Sequence, residues 1–492
     1  LKRLLIKNAV ANVGRGGTAA LVALVLPPVL IRHMPPGAYA VWVLILQVSA
    51  YMGFLDFGLQ AAVGRYIAFA EEKKDPAWRD GIFSTALVGL SIAAGIGILC
   101  LLAVALEARH IFPSTPAALL PAMRVAIVIA GLSTALGLPA SAWNGVFIGM
   151  QRYEIPAITI TSGRLLSSIG LVLAALEGRS LVFMACVVAA TNLLTYSSQF
   201  VVLRRLFPDI TLRLSLISEI TVRELSGYCV SLTVWSFSTL LVTGIDLILV
   251  GRFDFGAVAI YSAAAILISF LGGLQASVFS VIMPHSAALH AGGNAKALGD
   301  LLLQSTRLSI IFLLLTGLPL LVCASPIIRI WLGQPYAIQG SRILIVLVVG
   351  NMIRLLGVPY ASILVGTGQQ RLVFLSPLME GISNLIASIV LGKLFGAIGV
   401  AWGTLIGAVI GIGATIAYSL PRTRRWIDIS PLTLLAQVLR IIALCGLPLI
   451  LALPLRYFIA QRFAGLMTMA SAISVSICIV LAGKAMLKRR RA

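Results

Sequence analysis

The sequence predicts an all-α, polytopic membrane protein: about fourteen transmembrane helices, arranged as two pseudo-symmetric six-helix lobes plus two extra C-terminal helices. Three observations carry that prediction. The 492 residues are 60% hydrophobic and only 11% charged, with a mean hydropathy of +1.04, more apolar surface than a water-soluble domain could bury. Secondly, no connector between apolar runs exceeds about 20 residues. Thirdly, the chain is duplicated: VLIRHMPPGAYAVW at Val29 to Trp42 returns as ILVGRFDFGAVAIY at Ile248 to Tyr261, an offset of 219 residues. The same offset aligns Gly149-Met150-Gln151-Arg152 with Gly368-Gln369-Gln370-Arg371.

A hydrocarbon core of about 30 Å takes about 20 apolar residues per helix. On that rule the first six spans fall near 9–31, 38–63, 81–106, 122–147, 155–176 and 181–203, giving an N-lobe over residues 1–210. The next six fall near 225–250, 257–284, 306–330, 343–366, 373–394 and 397–420, a C-lobe over 211–428. Spans near 432–455 and 463–484, with a basic tail, occupy 429–492. Lys2, Arg3 and Lys7 precede the first run and no small-residue cleavage site follows, so that run is expected to be a retained span. The absence of an initiating Met places the numbering, as an expectation, inside a longer natural chain.

Charge sets the orientation. The formal net charge is +21, and with a cytoplasmic N-terminus the connectors and termini on that side hold about 23 of the 37 Lys and Arg residues. Both ends are therefore expected in the cytoplasm. The basic residues lie in short connectors, as an anionic leaflet would select, so no nucleic-acid partner is expected. The longest inside connector, Arg204 to Glu224, alternates Leu and Ile with Arg and Glu and would suit an interfacial amphipathic helix linking the lobes.

Pro27-Pro28, Pro139, Pro284, Pro319, Pro359 and Pro377 interrupt spans, where the freed carbonyls need other donors. Gly396, Gly399, Gly403, Gly407 and Gly411 repeat at helical spacing and predict a close-packing face. The six cysteines sit in apolar runs and read as packing residues, and the scattered histidines form no ligand pattern. No metal, cofactor or phosphate-cradling GxxxxGK[ST] loop is expected, and the short connectors leave no room for a catalytic domain. The chain is read as a non-enzyme.

Ionisable residues inside spans are costly and mark cavities or partners. Arg164 and Arg354 fall near the middle of the fifth and tenth spans, and Arg15 lies nearer the end of the first. These are the candidate contacts for an anionic headgroup, because the guanidinium fork matches phosphate oxygens. Structural pairing is the alternative, and Arg440, in the extra pair, reads as a snorkelling side chain. Asp56, Glu380 and Asp246 could bind a proton or Na⁺, or neutralise a nearby arginine; Asp246, a turn from its helix end, reads as interfacial.

Four stretches carry a family likeness: Gly37-Ala38-Tyr39-Ala40-Val41-Trp42, Leu55-Asp56-Phe57-Gly58-Leu59 through Arg65-Tyr66, Asp246 to Tyr261, and Asn384 followed by Gly396-Ala397-Ile398-Gly399-Val400-Ala401. With the fourteen-span layout, the chain resembles the polysaccharide-biosynthesis branch of the multidrug, oligosaccharidyl-lipid and polysaccharide exporter superfamily, the O-antigen-type lipid-linked oligosaccharide flippases. The resemblance implies two lobes around a V-shaped central cavity, working by alternating access in a bacterial inner membrane. It implies a polyprenyl-diphosphate-linked glycan as cargo and cationic cavity residues for its phosphates, a role that no invariant family signature fixes and that Arg164 and Arg354 are the positions here to serve. Membrane lipids, a polysaccharide polymerase and chain-length machinery are the implied partners. The rivals are a flippase for the lipid-linked peptidoglycan precursor, an ion-coupled multidrug antiporter of the same superfamily, and a membrane enzyme of glycan assembly.

Overall fold

The computed structural model describes residues 2–35 and 37–440, with backbone only over 2–15 and at 228, 230–236, 238, 239 and 243. The expected last span, most of the one before it, Cys445, Cys478, the basic tail and the side chain of Arg15 lie outside that description. Every regular element among the described residues is helical, and eleven helical segments are long and apolar enough to cross a membrane. Contacts gather the chain into two compact units, Leu1–Leu240 with Gly251–Ala259, and Leu241–Val250 with Ile260 onward.

In the first unit, α1 spans Lys2–His33 and runs unbroken through Pro27 and Pro28. The second expected span is interrupted. Helix α2 (Ala38–Ala50) passes into a 3-10 turn at Tyr51–Asp56, and α3 (Leu59–Lys73) starts only after Phe57 and Gly58, both left-handed at φ 49° and 77°. Asp75 then accepts from the Trp78 amide (2.9 Å) with Pro76 at the first helical position, which fixes the start of α4, Pro76–Leu106. After α5 (Ala108–Ile111) come α6 (Leu120–Gly149) and α7 (Glu154–Leu176). Ser180 accepts from the Phe183 amide at the start of α8, Leu181–Leu206. The core between α3, α4 and α6 includes Val63, Ile67, Ile82, Leu90, Val146 and Phe147. Helices α3 and α6 approach closely because a Cβ at Gly145 would meet Val63 at 2.7 Å and one at Gly149 would meet the Gly64 carbonyl at 2.8 Å.

The connector after α8 is not the amphipathic helix that its charge pattern suggested. It is irregular, with extended backbone at Arg213 and Ile217 and a single 3-10 turn at Leu214–Leu216. The pattern explains this: Ile210, Leu212, Leu214 and Leu216 alternate at a period of two, the signature of extended chain, and Pro208 opens the segment. It is clamped to α4. The Asp80 carboxylate, only 3% exposed, takes Arg79 Nε at 3.3 Å and Thr211 Oγ1 at 3.1 Å, while the Arg213 amide donates to Ser84 Oγ at 2.9 Å. Ser218 and Thr221 cap each other's amides at the start of α9, Glu219–Thr239. A π turn (Leu240–Gly244) then separates α9 from α10, Asp246–Phe253. The later part of α10 belongs to the first unit, and there the two copies of the duplicated motif meet: a Cβ at Gly37 would lie 3.6 Å from the Phe255 ring, and one at Gly251 2.8 Å from Leu44.

The second unit continues with α11 (Val258–Phe279), α12 (Ile282–Ala291) and α13 (Ala295–Val322), the last capped by Asn294 on the Ala297 amide. Then follow α14 (Ala324–Leu332), α15 (Ala337–Leu355), α16 (Val358–Thr367), α17 (Leu375–Phe395), α18 (Ala397–Ala414) and, after a second π turn at Thr415–Ser419, α19 (Leu420–Thr423). The glycine stripe of α18 packs on α17: a Cβ at Gly399 would meet the Leu391 carbonyl at 2.0 Å and one at Gly403 the Ser388 amide nitrogen at 2.5 Å. Of the described cysteines, Cys229 and Cys323 are buried as packing residues, whereas Cys100 and Cys186 are exposed.

Candidate functional site

The buried polar groups of the second unit collect where the π turn interrupts the seventh span. A π turn shifts the i→i+4 ladder by one residue, leaving carbonyls that an apolar setting must satisfy from elsewhere. Asn384 on α17 supplies the donor: its Nδ2 lies 2.8 Å from the Val242 carbonyl and 3.4 Å from that of Leu241. Its Oδ1 accepts from Ser388 Oγ at 3.0 Å, one turn along α17.

Asp246 opens α10 immediately after this turn. It is 8% exposed and enclosed by α11 and α18. The span breaks before Asp246, which makes it the first residue of a new helix. Its Oδ2 accepts from Tyr261 Oη at 3.1 Å and Thr404 Oγ1 at 3.0 Å. Thr404 Oγ1 and Ser388 Oγ also reach the Val400 carbonyl, at 3.4 and 3.2 Å. One carboxylate, three hydroxyls, an amide oxygen and a backbone carbonyl thus share one buried neighbourhood, an all-oxygen donor set of the kind hard cations take. Among the described residues no group of three or more His, Cys, Asp or Glu side chains could hold a metal ion.

Arg354 sits in the last turn of α15, half-buried, and donates to Asn351 Oδ1. Its charge is coupled electrostatically to Glu380 and to Asp246. Glu380 lies on α17 one turn before Asn384, against Gly411 of α18, where a Cβ would come within 2.7 Å of Oε2. The glycine therefore makes room for the carboxylate. Glu380 Oε1 is buried without a hydrogen-bond partner.

Three of the residues singled out from sequence thus come together: Arg354, Glu380 and Asp246. Two belong to the first unit. Asp56 ends the 3-10 turn before α3, taking Ser141 Oγ of α6 at 2.8 Å and the Gln60 amide at 3.4 Å. Arg164 is exposed on α7. Tyr261, Asn351, Ser388 and Thr404 were not singled out, because neutral hydroxyls and amides inside apolar runs carry no exceptional sequence signal. Asn384 and Tyr261 lay within the stretches of family likeness, which was the one available pointer.

Comparison with known proteins agrees with this architecture. The model of the polysaccharide biosynthesis protein family matches residues 5–290, more than half of the chain. The structure is similar to that of the lipid II flippase MurJ in an inward closed conformation, with a TM-score of 0.73 at 15% identity, covering 98% of this chain and 100% of that one. It is also similar to an inward-facing multidrug resistance MATE family transporter of the MOP superfamily, at TM-score 0.63 and 14% identity over 82% of this chain and 98% of the other. A third similar structure is a MOP superfamily transporter from Pyrococcus furiosus, at TM-score 0.57 and 13% identity over 86% and 96%. No curated protein sequence matches.

Proposed function

The chain belongs to the polysaccharide biosynthesis protein family, a group of flippase-like membrane transporters, and on that premise we propose that it carries a polyprenyl-diphosphate-linked oligosaccharide across the membrane. The cargo is an O-antigen or exopolysaccharide repeat unit, moved from the cytoplasmic to the outer leaflet of a bacterial inner membrane by alternating access, with both termini in the cytoplasm. A polysaccharide polymerase and chain-length machinery would receive the product.

The observation that carries this reading is a half-buried guanidinium in a span, hydrogen-bonded to Asn351 and within the electrostatic reach of Glu380 and Asp246. In low dielectric an arginine is tolerated only with partners, and Glu380 and Asp246 serve while no anion is bound. When a cation or proton occupies the oxygen cluster around Asp246, that compensation weakens and Arg354 is free to take a phosphate through its fork of N–H donors. Ion binding and headgroup binding then reinforce one another, a coupling free energy between two adjacent sites. Arg164 and Arg15, in the first unit, are the further cationic candidates for the headgroup.

A second reading has support from one observation, the likeness to the lipid II flippase over 98% of this chain: the cargo is the lipid-linked peptidoglycan precursor. Its headgroup would present the same phosphate chemistry to Arg354. A multidrug antiporter fits less well, since a cationic cargo gains nothing from an arginine at the site.

Flipping assays in proteoliposomes separate these readings. A polyprenyl-diphosphate oligosaccharide, a lipid-linked peptidoglycan precursor and a lipophilic drug cation are offered to wild type, Arg354→Gln and Arg164→Gln. Selective movement of the oligosaccharide, lost in Arg354→Gln with the protein still monodisperse, supports the proposal. Movement of the precursor alone moves the chain to the second reading, and export of the cation alone rejects both.

A further inference from the structure

Arg354 stands one residue before the end of α15, and the chain there departs from helical geometry. Pro359 is the cause: the Leu355 carbonyl should accept from the amide four residues on, and residue 359 has no N–H. The chain turns instead through 3-10 bonds, with the Leu356 amide on Ile353 (3.2 Å) and the Gly357 amide on Arg354 (3.1 Å), before α16 begins.

The orphaned Leu355 carbonyl is not left bare. Gln275 of α11, 0% exposed, donates Nε2 to it at 2.8 Å and to Ser309 Oγ of α13 at 2.7 Å. One side chain therefore ties three helices together at the peptide that follows Arg354. The surroundings are apolar: Leu271, Leu313 and Leu355 form a cluster around the junction. Gln275 Oε1 has no partner, so the amide is held by its donor side alone.

From this geometry we infer that Gln275 is a positioning residue for Arg354: it replaces the hydrogen bond that Pro359 removes and so fixes the helix end from which the guanidinium reaches Asn351 and the substrate phosphate. The inference rests on the diphosphate role proposed for Arg354. A buried carbonyl without a donor is expensive, and truncating its partner releases the segment. The reciprocal relation between Gln275 and Pro359 supplies its own test, because alanine at 359 restores an N–H in the position that the Leu355 carbonyl lacks.

Hydrogen exchange over residues 350–361 and flipping of a polyprenyl-diphosphate oligosaccharide are measured for wild type, Gln275→Leu, Gln275→Leu with Pro359→Ala, and Arg354→Gln. The expected result for Gln275→Leu is about tenfold faster exchange in that segment and about tenfold slower flipping at low substrate, the equivalent of one lost buried hydrogen bond. Adding Pro359→Ala should return both, while Arg354→Gln abolishes flipping and leaves exchange unchanged. Unaltered exchange in Gln275→Leu overturns the inference, as does a defect that Pro359→Ala does not relieve. Normal flipping by Arg354→Gln, with the exchange pattern as expected, instead removes the diphosphate role on which the inference rests.

Discussion

Asn384 donates to the Val242 carbonyl across 2.8 Å, from the middle of α17 to the π turn that breaks the seventh span. That single amide satisfies backbone that lipid could not, and it places Asp246 at the head of a new helix.

Replacing Asn384 by Leu leaves the Val242 carbonyl without this donor, while Ser388 Oγ keeps the Val400 carbonyl as an acceptor. The expected loss is about 1–3 kcal/mol, the cost of an unsatisfied buried acceptor. Thermal unfolding in detergent should show a lower midpoint than wild type. An unchanged midpoint would mean that the π turn does not depend on this amide.

The α17–α18 contact makes a sharper prediction, because two glycines of one helix should respond oppositely. A Cβ at Gly403 would come within 2.1 Å of Ser388 Oγ and 2.5 Å of its backbone nitrogen, whereas one at Gly413 meets nothing within 4 Å. Gly403→Ala must push the helices apart and is expected to cost about 1–3 kcal/mol or more, the range for overpacking. Gly413→Ala should stay within about 1 kcal/mol of wild type and lean towards stabilisation, since alanine favours a helix. Equal melting points for the two variants would refute this packing argument.

That glycine face was legible in the sequence because close packing leaves a spacing signature, Gly399, Gly403, Gly407 and Gly411 on one side of a helix. The span order was legible for the same kind of reason, and Arg354 and Glu380 stood out because charge is rare in an apolar run. The enclosure of Asp246 was not legible because a π turn has no signature in composition: Leu240 to Gly244 reads as unbroken helix, and the donor that satisfies the break, Asn384, lies 142 residues further on. The connector after α8 was misread from its charges, although its period-two pattern pointed to extended chain. What holds it is Asp80, whose partners Thr211 and Arg213 become neighbours only in the folded unit.

Asp80 also supports a prediction. Its side chain is 4% exposed and its partner Arg79 11%; removing the carboxylate leaves Arg79 its pair with Glu71 but frees Thr211. Losing the buried hydrogen bonds of Asp80 is expected to cost about 1–3 kcal/mol. Asp80→Ala should loosen the connector, with trypsin cutting at Arg213 several-fold faster than in wild type. Glu177→Ala is the control, because the Arg179–Glu177 pair is 56% and 59% exposed and surface pairs of that kind contribute little. Cleavage at Arg213 unchanged by Asp80→Ala would show that the connector is held by its backbone contacts alone.

Ion coupling gives the last test, and it discriminates between the carboxylates. Asp56 has its Oδ1 engaged by Ser141 and the amide of Gln60, at a helix start, which is the arrangement of a cap. Asp246 instead gathers neutral oxygens, with Thr404 and Tyr261 on Oδ2 and the Ser388 and Asn384 side chains beside them. Asparagine at 246 keeps the size and one acceptor but removes the charge that a cation or proton would neutralise. Asp246→Asn is therefore expected to flip substrate at a rate insensitive to an imposed Na⁺ or proton gradient, while Asp56→Asn is expected to lose stability and keep the gradient response. Proteoliposomes with each gradient imposed in turn read both variants directly. A gradient response retained by Asp246→Asn and lost in Asp56→Asn would reverse the assignment, moving the coupling ion to the first unit and leaving Asp246 as a partner for Arg354 only.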